Sequence, residues 1–174
     1  DQPESLNPQS PYAETKLREE ALIRSKLQNQ HIILRLGTIF GFSPGIRFHT
    51  AVNKFCLQAC LGEPLTVWST ARDQVRPYLA LEDCYEAVRF LMDKGEIEGD
   101  TFNVLTGNYS VSDVLNAISS NGLDIKIQFV DSEIMNQLSY EVSSQKLRSL
   151  GFSYTGNLNV SIKNTLDILS KGHF

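Results

Sequence analysis

Cysteine is scarce in this chain, and what there is has no arrangement that binds or bridges. Cys56, Cys60 and Cys84 are odd in number, with no CxxC and no histidine at ligand spacing, so neither a disulfide framework nor a zinc site is indicated. His31, His49 and His173 show no ligand spacing either and read as structural or exposed; no metal is expected. An excess of positive charge is also missing. Lys and Arg number 16 against 20 Asp and Glu, for a net charge of -4, and they are scattered. That balance argues against a nucleic-acid or membrane-surface partner and favours small molecules or other subunits. No apolar run approaches the roughly 18 residues of a membrane span. The polar opening "DQPESLNPQS" lacks the pattern of a secretory signal. A soluble protein in a reducing, cytoplasmic setting is the expectation. There is no internal repeat and no low-complexity linker.

What is present is an ordinary globular composition, 174 residues with 41% hydrophobic, long enough to bury a real core. Ser10 can cap a helix whose first residue is Pro11, running from about Tyr12 to Gln28 with charge on one side. "HIILRL", 31 to 36, reads as a buried strand. From Phe48, apolar residues at 48, 51, 52, 55, 56, 59 and 60 follow the period of a core-facing helix that Gly62 ends. Cys56 and Cys60 fall on that apolar face. "PLTVW" and "VRPYLAL" predict strands, and Leu81 to Met92 an amphipathic helix with Asp83 as an N-terminal carboxylate. "TFNVL" predicts a strand. Ser110 and Asp113 then form a capping-box variant before a short helix, followed by a strand at "IKIQFV", a short helix at "SSQKLRSLG" and a last helix over Leu158 to Leu169. Strands alternating with helices predict an α/β protein with mainly parallel pairing.

Within the first helix, Tyr12 and Lys16 stand four residues apart and project from one face. A free tyrosine titrates near ~10, so its use as an acid/base at neutral pH requires a nearby cation that favours the phenolate. Lys16 is that cation, and the helix N-terminus adds a smaller push in the same sense. YxxxK alone is a weak signal. It gains weight from the blocks in order: "NPQSPYAETKLREE", "ILRLGTIFG", "LGEPLTVW", "QVRPYLALEDCYEAV", "DTFNVLTGNYSVSDVLNAI", "SSQKLRSLGF" and a closing amphipathic helix. Together they resemble the C-terminal part of the NAD-dependent epimerase/dehydratase family, the extended short-chain dehydrogenase/reductases that act on nucleotide sugars.

The resemblance implies that Tyr12 is the catalytic acid/base on a sugar hydroxyl. It implies that Lys16 bonds the nicotinamide ribose of NAD or NADP, so both residues touch cofactor. Arg76 matches an arginine that grips the nucleotide-sugar pyrophosphate, as suits a bidentate guanidinium. Arg47 and Asn53 lie where the substrate lobe begins and are candidate nucleotide contacts. Thr38 stands where many relatives have a substrate-contacting Asn, which leaves the sugar open. The resemblance further implies a homodimer packed through the tyrosine-bearing helix, for which Ala13, Leu17, Ala21 and Leu22 supply apolar residues.

Two parts of the family pattern find no match. A Ser or Thr upstream of the tyrosine would complete the catalytic set, and Ser5 and Ser10 are too close to Tyr12 to be it. The glycines of a dinucleotide cradle are also missing, since Gly37, Gly41 and Gly45 in "GTIFGFSPG" have the wrong spacing and sit in what reads as a turn-rich loop. The chain is therefore expected to be the later part of a longer subunit, inactive and without measurable NAD affinity alone. The expected fold is the C-terminal portion of a doubly wound, Rossmann-like parallel sheet interleaved with a small α/β substrate lobe. Residues 1–45 and 82–107 would belong to the cofactor domain, 46–81 and 108–174 to the lobe. The leading function is a fragment of a nucleotide-sugar epimerase, dehydratase or reductase; the other is a non-catalytic module that keeps the lobe for sugar-nucleotide binding or subunit contact. The intact Tyr12/Lys16 pair favours the enzyme.

Overall fold

In a computed structural model, residues 8, 10–95, 97–131 and 139–172 are described. Ser5 and His173 lie outside them. Helix α1 spans Pro11–Leu27, with Ser10 as its N-cap accepting the Ala13 N–H, as the sequence predicts. The strand β1, Ile32–Leu36, follows, and then β2, Thr38–Phe40, a strand inside what reads as a loop. Helix α2 is Ala51–Cys60, starting one turn later than the apolar series suggests. A turn with Ile46 N–H bonded to the Ser43 carbonyl precedes it, and Phe48 packs against the core from outside the helix. Next come β3 (Leu65–Trp68), β4 (Val75–Ala80) and α3 (Leu81–Lys94), the last closed by Gly95 in the left-handed region. The remaining elements are β5 (Asp100–Val104), β6 (Gly107–Ser110), α4 (Val111–Ser119), β7 (Ile127–Val130), α5 (Gln145–Ser149) and α6 (Leu158–Leu169). Ser110 and Asp113 form the complete capping box at the start of α4.

Pairing is mainly parallel. The pairs β1 with β5, β2 with β4, and β3 with β7 are parallel; β4 with β6 is antiparallel. At Gly37 the β1–β5 ribbon forks. Gly37 N–H still bonds the Val104 carbonyl, but one residue later the chain pairs with β4, and Thr106 N–H bonds the Tyr78 carbonyl from the other side. Strand β4 thus enters between the continuations of β1 and β5. An ideal Cβ at Gly37 would lie 3.1 Å from the Pro77 carbonyl carbon and oxygen, so the close approach of β4 is what the glycine permits.

Two apolar clusters flank this sheet. The first gathers Phe40, Val52, Phe55, Cys56, Leu65, Val67, Tyr78, Ala80, Val114, Ile118, Ile162 and Leu166. The second gathers Leu79, Ala87, Leu91, Phe102, Val104, Leu147 and Phe152. Alternation along β4 sends Tyr78 and Ala80 to one cluster and Leu79 to the other. Strand β1 is less buried than its apolar run suggests: Ile33 is buried, while Ile32 and Leu36 are exposed.

Candidate functional site

Helix α1 meets the sheet through charge. Among its described residues Glu20 alone is buried, and its carboxylate accepts both Arg35 Nε and Arg35 Nη2 at 2.7 Å. Arg24 Nη2 donates to Glu20 Oε2 at 3.0 Å and to Thr101 Oγ1 on β5 at 2.8 Å. The Arg35 guanidinium holds the Glu20 carboxyl below its ordinary range, against the opposing effect of burial.

These contacts fix the direction of the helix. Arg24 bonds Thr101, which lies opposite Ile33 in the β1–β5 register, while Glu20 bonds Arg35. Going back along α1 therefore goes forward along β1. From Glu20 to Tyr12 is about 12 Å of helix, and from Arg35 to Thr38 roughly 10 Å of strand. The amino end of α1, which carries Tyr12, is thus directed towards the carboxyl end of β1, the end at which open α/β sheets bind ligands.

Tyr12 and Lys16 are both open to solvent, at 73% exposure for Tyr12. The Lys16 ammonium lies 5.7 Å from the centre of the Tyr12 ring and 2.7 Å from Glu19 Oε2. The hydrogen bond and charge of Glu19 raise the Lys16 pKa, with a smaller contribution from Tyr12.

Thr38 and Arg76 come together at the fork. Thr38 is exposed, opens β2 and pairs with Tyr78; Arg76 is two residues earlier on the same neighbouring strand, opposite Tyr109. The Arg76 guanidinium lies 5.1 Å from the Tyr140 ring centre and donates to Gln74 Oε1 at 3.1 Å. Residues 139 and 140 are laced to β4, with the Val75 N–H bonded to Ser139 Oγ and the Tyr140 N–H to the Val75 carbonyl. Asn53 is buried. Its Oδ1 accepts the Gly41 N–H and its Nδ2 donates to the Arg47 carbonyl, both at 3.2 Å, so its amide holds the loop that carries the exposed Arg47.

The glycine loop is not shaped as a phosphate cradle. Gly37 faces the Pro77 backbone, Gly41 faces Leu81, and Gly45 has nothing near it. Among the described residues no group of three His, Cys, Asp or Glu is placed to hold a metal ion, and no helix is long and apolar enough to cross a membrane. Sequence reasoning missed Glu20, Arg35 and Tyr140. Nothing in the periodicity of α1 or β1 links a glutamate to an arginine fifteen positions away, and Tyr140 stands in a segment without period.

Residues 1–104, more than half of the chain, match the NAD dependent epimerase/dehydratase family. A trifunctional UDP-glucose 4,6-dehydratase/UDP-4-keto-6-deoxy-D-glucose 3,5-epimerase/UDP-4-keto-L-rhamnose-reductase of Arabidopsis thaliana is 32% identical over 169 residues, which is 93% of this chain and 25% of that protein. The chain spans about a quarter of that relative's length. A UDP-glucuronic acid 4-epimerase from Bacillus cereus, in complex with UDP-glucuronic acid and NAD, superposes with a TM-score of 0.82 at 24% identity, covering 99% of this chain and 57% of the other. A dTDP-glucose 4,6-dehydratase from Bacillus anthracis in complex with NAD superposes at 0.81 with 17% identity, over 99% and 56%. At these identities the structural likeness establishes the α/β, Rossmann-like fold.

Proposed function

This chain belongs to the NAD-dependent epimerase/dehydratase family, and from that premise we propose that it carries one side of the active site of a nucleotide-sugar epimerase or dehydratase. Supporting this is the spacing of Tyr12 and Lys16 on one face of α1, whose amino end is directed towards the carboxyl end of β1. The residues present fit the nicotinamide-ribose end of NAD or NADP: an exposed phenol beside an exposed ammonium, both on the first two turns of a helix. That cofactor, when bound, supplies the two-electron acceptor for the sugar carbon.

Tyr12 Oη takes the proton of the sugar hydroxyl as that carbon is oxidised, and returns it in the reverse step. The Lys16 ammonium stands 5.7 Å from the centre of the Tyr12 ring, and its N–H groups suit the ribose hydroxyls. Its pairing with Glu19 is solvent-exposed and therefore weak, so it exchanges readily for such a partner. Arg76, steadied by Tyr140, grips the pyrophosphate of the sugar nucleotide. Thr38 faces the sugar, and Arg47, with its loop held by Asn53, faces the nucleotide. The protein works as a homodimer in the cytoplasm, with the exposed Ala21 and Leu22 of α1 at the contact.

Tyr12→Phe in the full protein tests the assignment, with UDP-glucose and NAD as probes. Turnover is expected to fall by at least ~10²-fold with sugar-nucleotide binding retained. Unchanged kcat would sink it.

A further inference from the structure

Helix α1 carries the proposed acid/base, yet its apolar hold on the described residues is small. Ala13 and Leu17 are half-buried, and every residue from Ala21 to Leu27 is exposed. The one buried side chain is Glu20. Apolar contact is non-directional, whereas a planar guanidinium clasping a carboxylate through two parallel bonds fixes how far a helix is rolled about its axis and slid along it.

We infer that the Glu20–Arg35 clasp, seconded by Arg24 on Thr101, is the positioning device that sets the roll and height of α1 and so aims Tyr12 at the carboxyl end of β1. The inference rests on the acid/base reading of Tyr12. Two anchor points on two strands, Arg35 on β1 and Thr101 on β5, define a roll as well as a height. Tyr12, Lys16 and Glu20 follow one another at four-residue steps, so they lie within about 80° of the helix circumference. A roll of ~20° at a side-chain tip ~6 Å from the axis moves it by about 2 Å. A misplacement of 1 Å can cost ~10²-fold in rate. Glu20 is taken up by Arg35 and Arg24, so the clasp acts through Tyr12.

Arg35→Lys keeps the charge and abolishes the fork, and Glu20→Gln keeps the shape and abolishes the charge. Both would be made in the full protein beside Tyr12→Phe. Hydrogen exchange gives a readout independent of turnover. The α1 amides of Arg35→Lys are expected to exchange at least ~10-fold faster, with those of α4 unchanged. Turnover of UDP-glucose with NAD is expected to lose at least ~10-fold in kcat, with KM within about threefold. Equal acceleration in α1 and α4, or none in α1, would make the clasp an ordinary stabiliser and overturn the inference. So would loosened α1 amides with kcat intact while Tyr12→Phe is inactive. Full activity in Tyr12→Phe would instead remove the acid/base reading, and the exchange data alone would still decide whether the clasp holds α1.

Discussion

Asp83 and Gly156 occupy adjoining space with no room for a side chain between them. The Asp83 carboxylate, fully buried in the first turn of α3, accepts the N–H of Gly156 at 3.0 Å and that of Thr155 at 2.9 Å on Oδ1, and the Thr106 hydroxyl at 2.6 Å on Oδ2. A Cβ at position 156 would collide with Asp83 Oδ2 and lie 2.6 Å from Ala80 Cβ. The sequence marks Asp83 as a helix N-terminal carboxylate, and it is one. It also fastens the segment before α6 to the sheet.

Gly156→Ala should therefore destabilise the protein by about 1–3 kcal/mol through overpacking. Asp83→Ala should cost a similar amount, because it leaves the Thr155 and Gly156 N–H groups and the Thr106 hydroxyl without their acceptor. Urea unfolding measures both. A Gly156→Ala change below about 0.5 kcal/mol would mean that the segment can slide away from α3.

Glu20 gives an acid limb to stability. Its folded pKa is lowered, chiefly by the Arg35 hydrogen bond, so its contribution is complete above the unfolded value of about 4.3 and disappears as pH falls through the folded pKa. Wild-type protein should lose stability more steeply than Glu20→Gln below about pH 5, and the two should run parallel above pH 6. Parallel curves throughout would show that the clasp adds nothing that titrates.

Thiol chemistry should follow burial. Burial pushes the Cys56 thiol up to about 12, and raises Cys60 and Cys84 as well. At pH 8 iodoacetamide should leave Cys56 unmodified in the folded protein and alkylate all three residues in urea, read by peptide mass spectrometry. Rapid native labelling of Cys56 would mean that α2 opens from the core.

Arg76→Ala separates grip from chemistry. A phosphate contact made in ground and transition states alike should raise KM with kcat nearly unchanged, for a loss of roughly 1.5–3 kcal/mol. Tyr140→Leu should reproduce part of that effect by unsettling the guanidinium. Steady-state kinetics with UDP-glucose decides, and a fall in kcat alone would contradict the grip.

Much of the architecture was legible because it is periodic. Helix α6 runs from Leu158 to Leu169 as its apolar spacing indicates, and the Ser110/Asp113 box starts α4. The short strands were not legible. Thr38–Phe40 is three residues between glycines, and Gly107–Ser110 shows no alternation; both exist because β4 arrives from elsewhere in the chain to pair with them. Helix α1 was legible as a helix but not in its orientation. Its charges suggested a solvent face, whereas the buried contact is Glu20 because an arginine, not a leucine, waits on β1. For the candidate site, Tyr12, Lys16 and Arg76 could be picked out as residue types at suggestive spacings, while the groups that orient them, Arg35 and Tyr140, depend on long-range contacts that no local pattern encodes.

Strand β4 has a consequence for how the molecule comes apart. Because neighbouring residues of one strand, Tyr78 and Leu79, are rooted in opposite cores, neither core can melt while the other stays whole. Heat or denaturant should produce a single cooperative transition, and wounds on either side of that shared wall should lower the same midpoint.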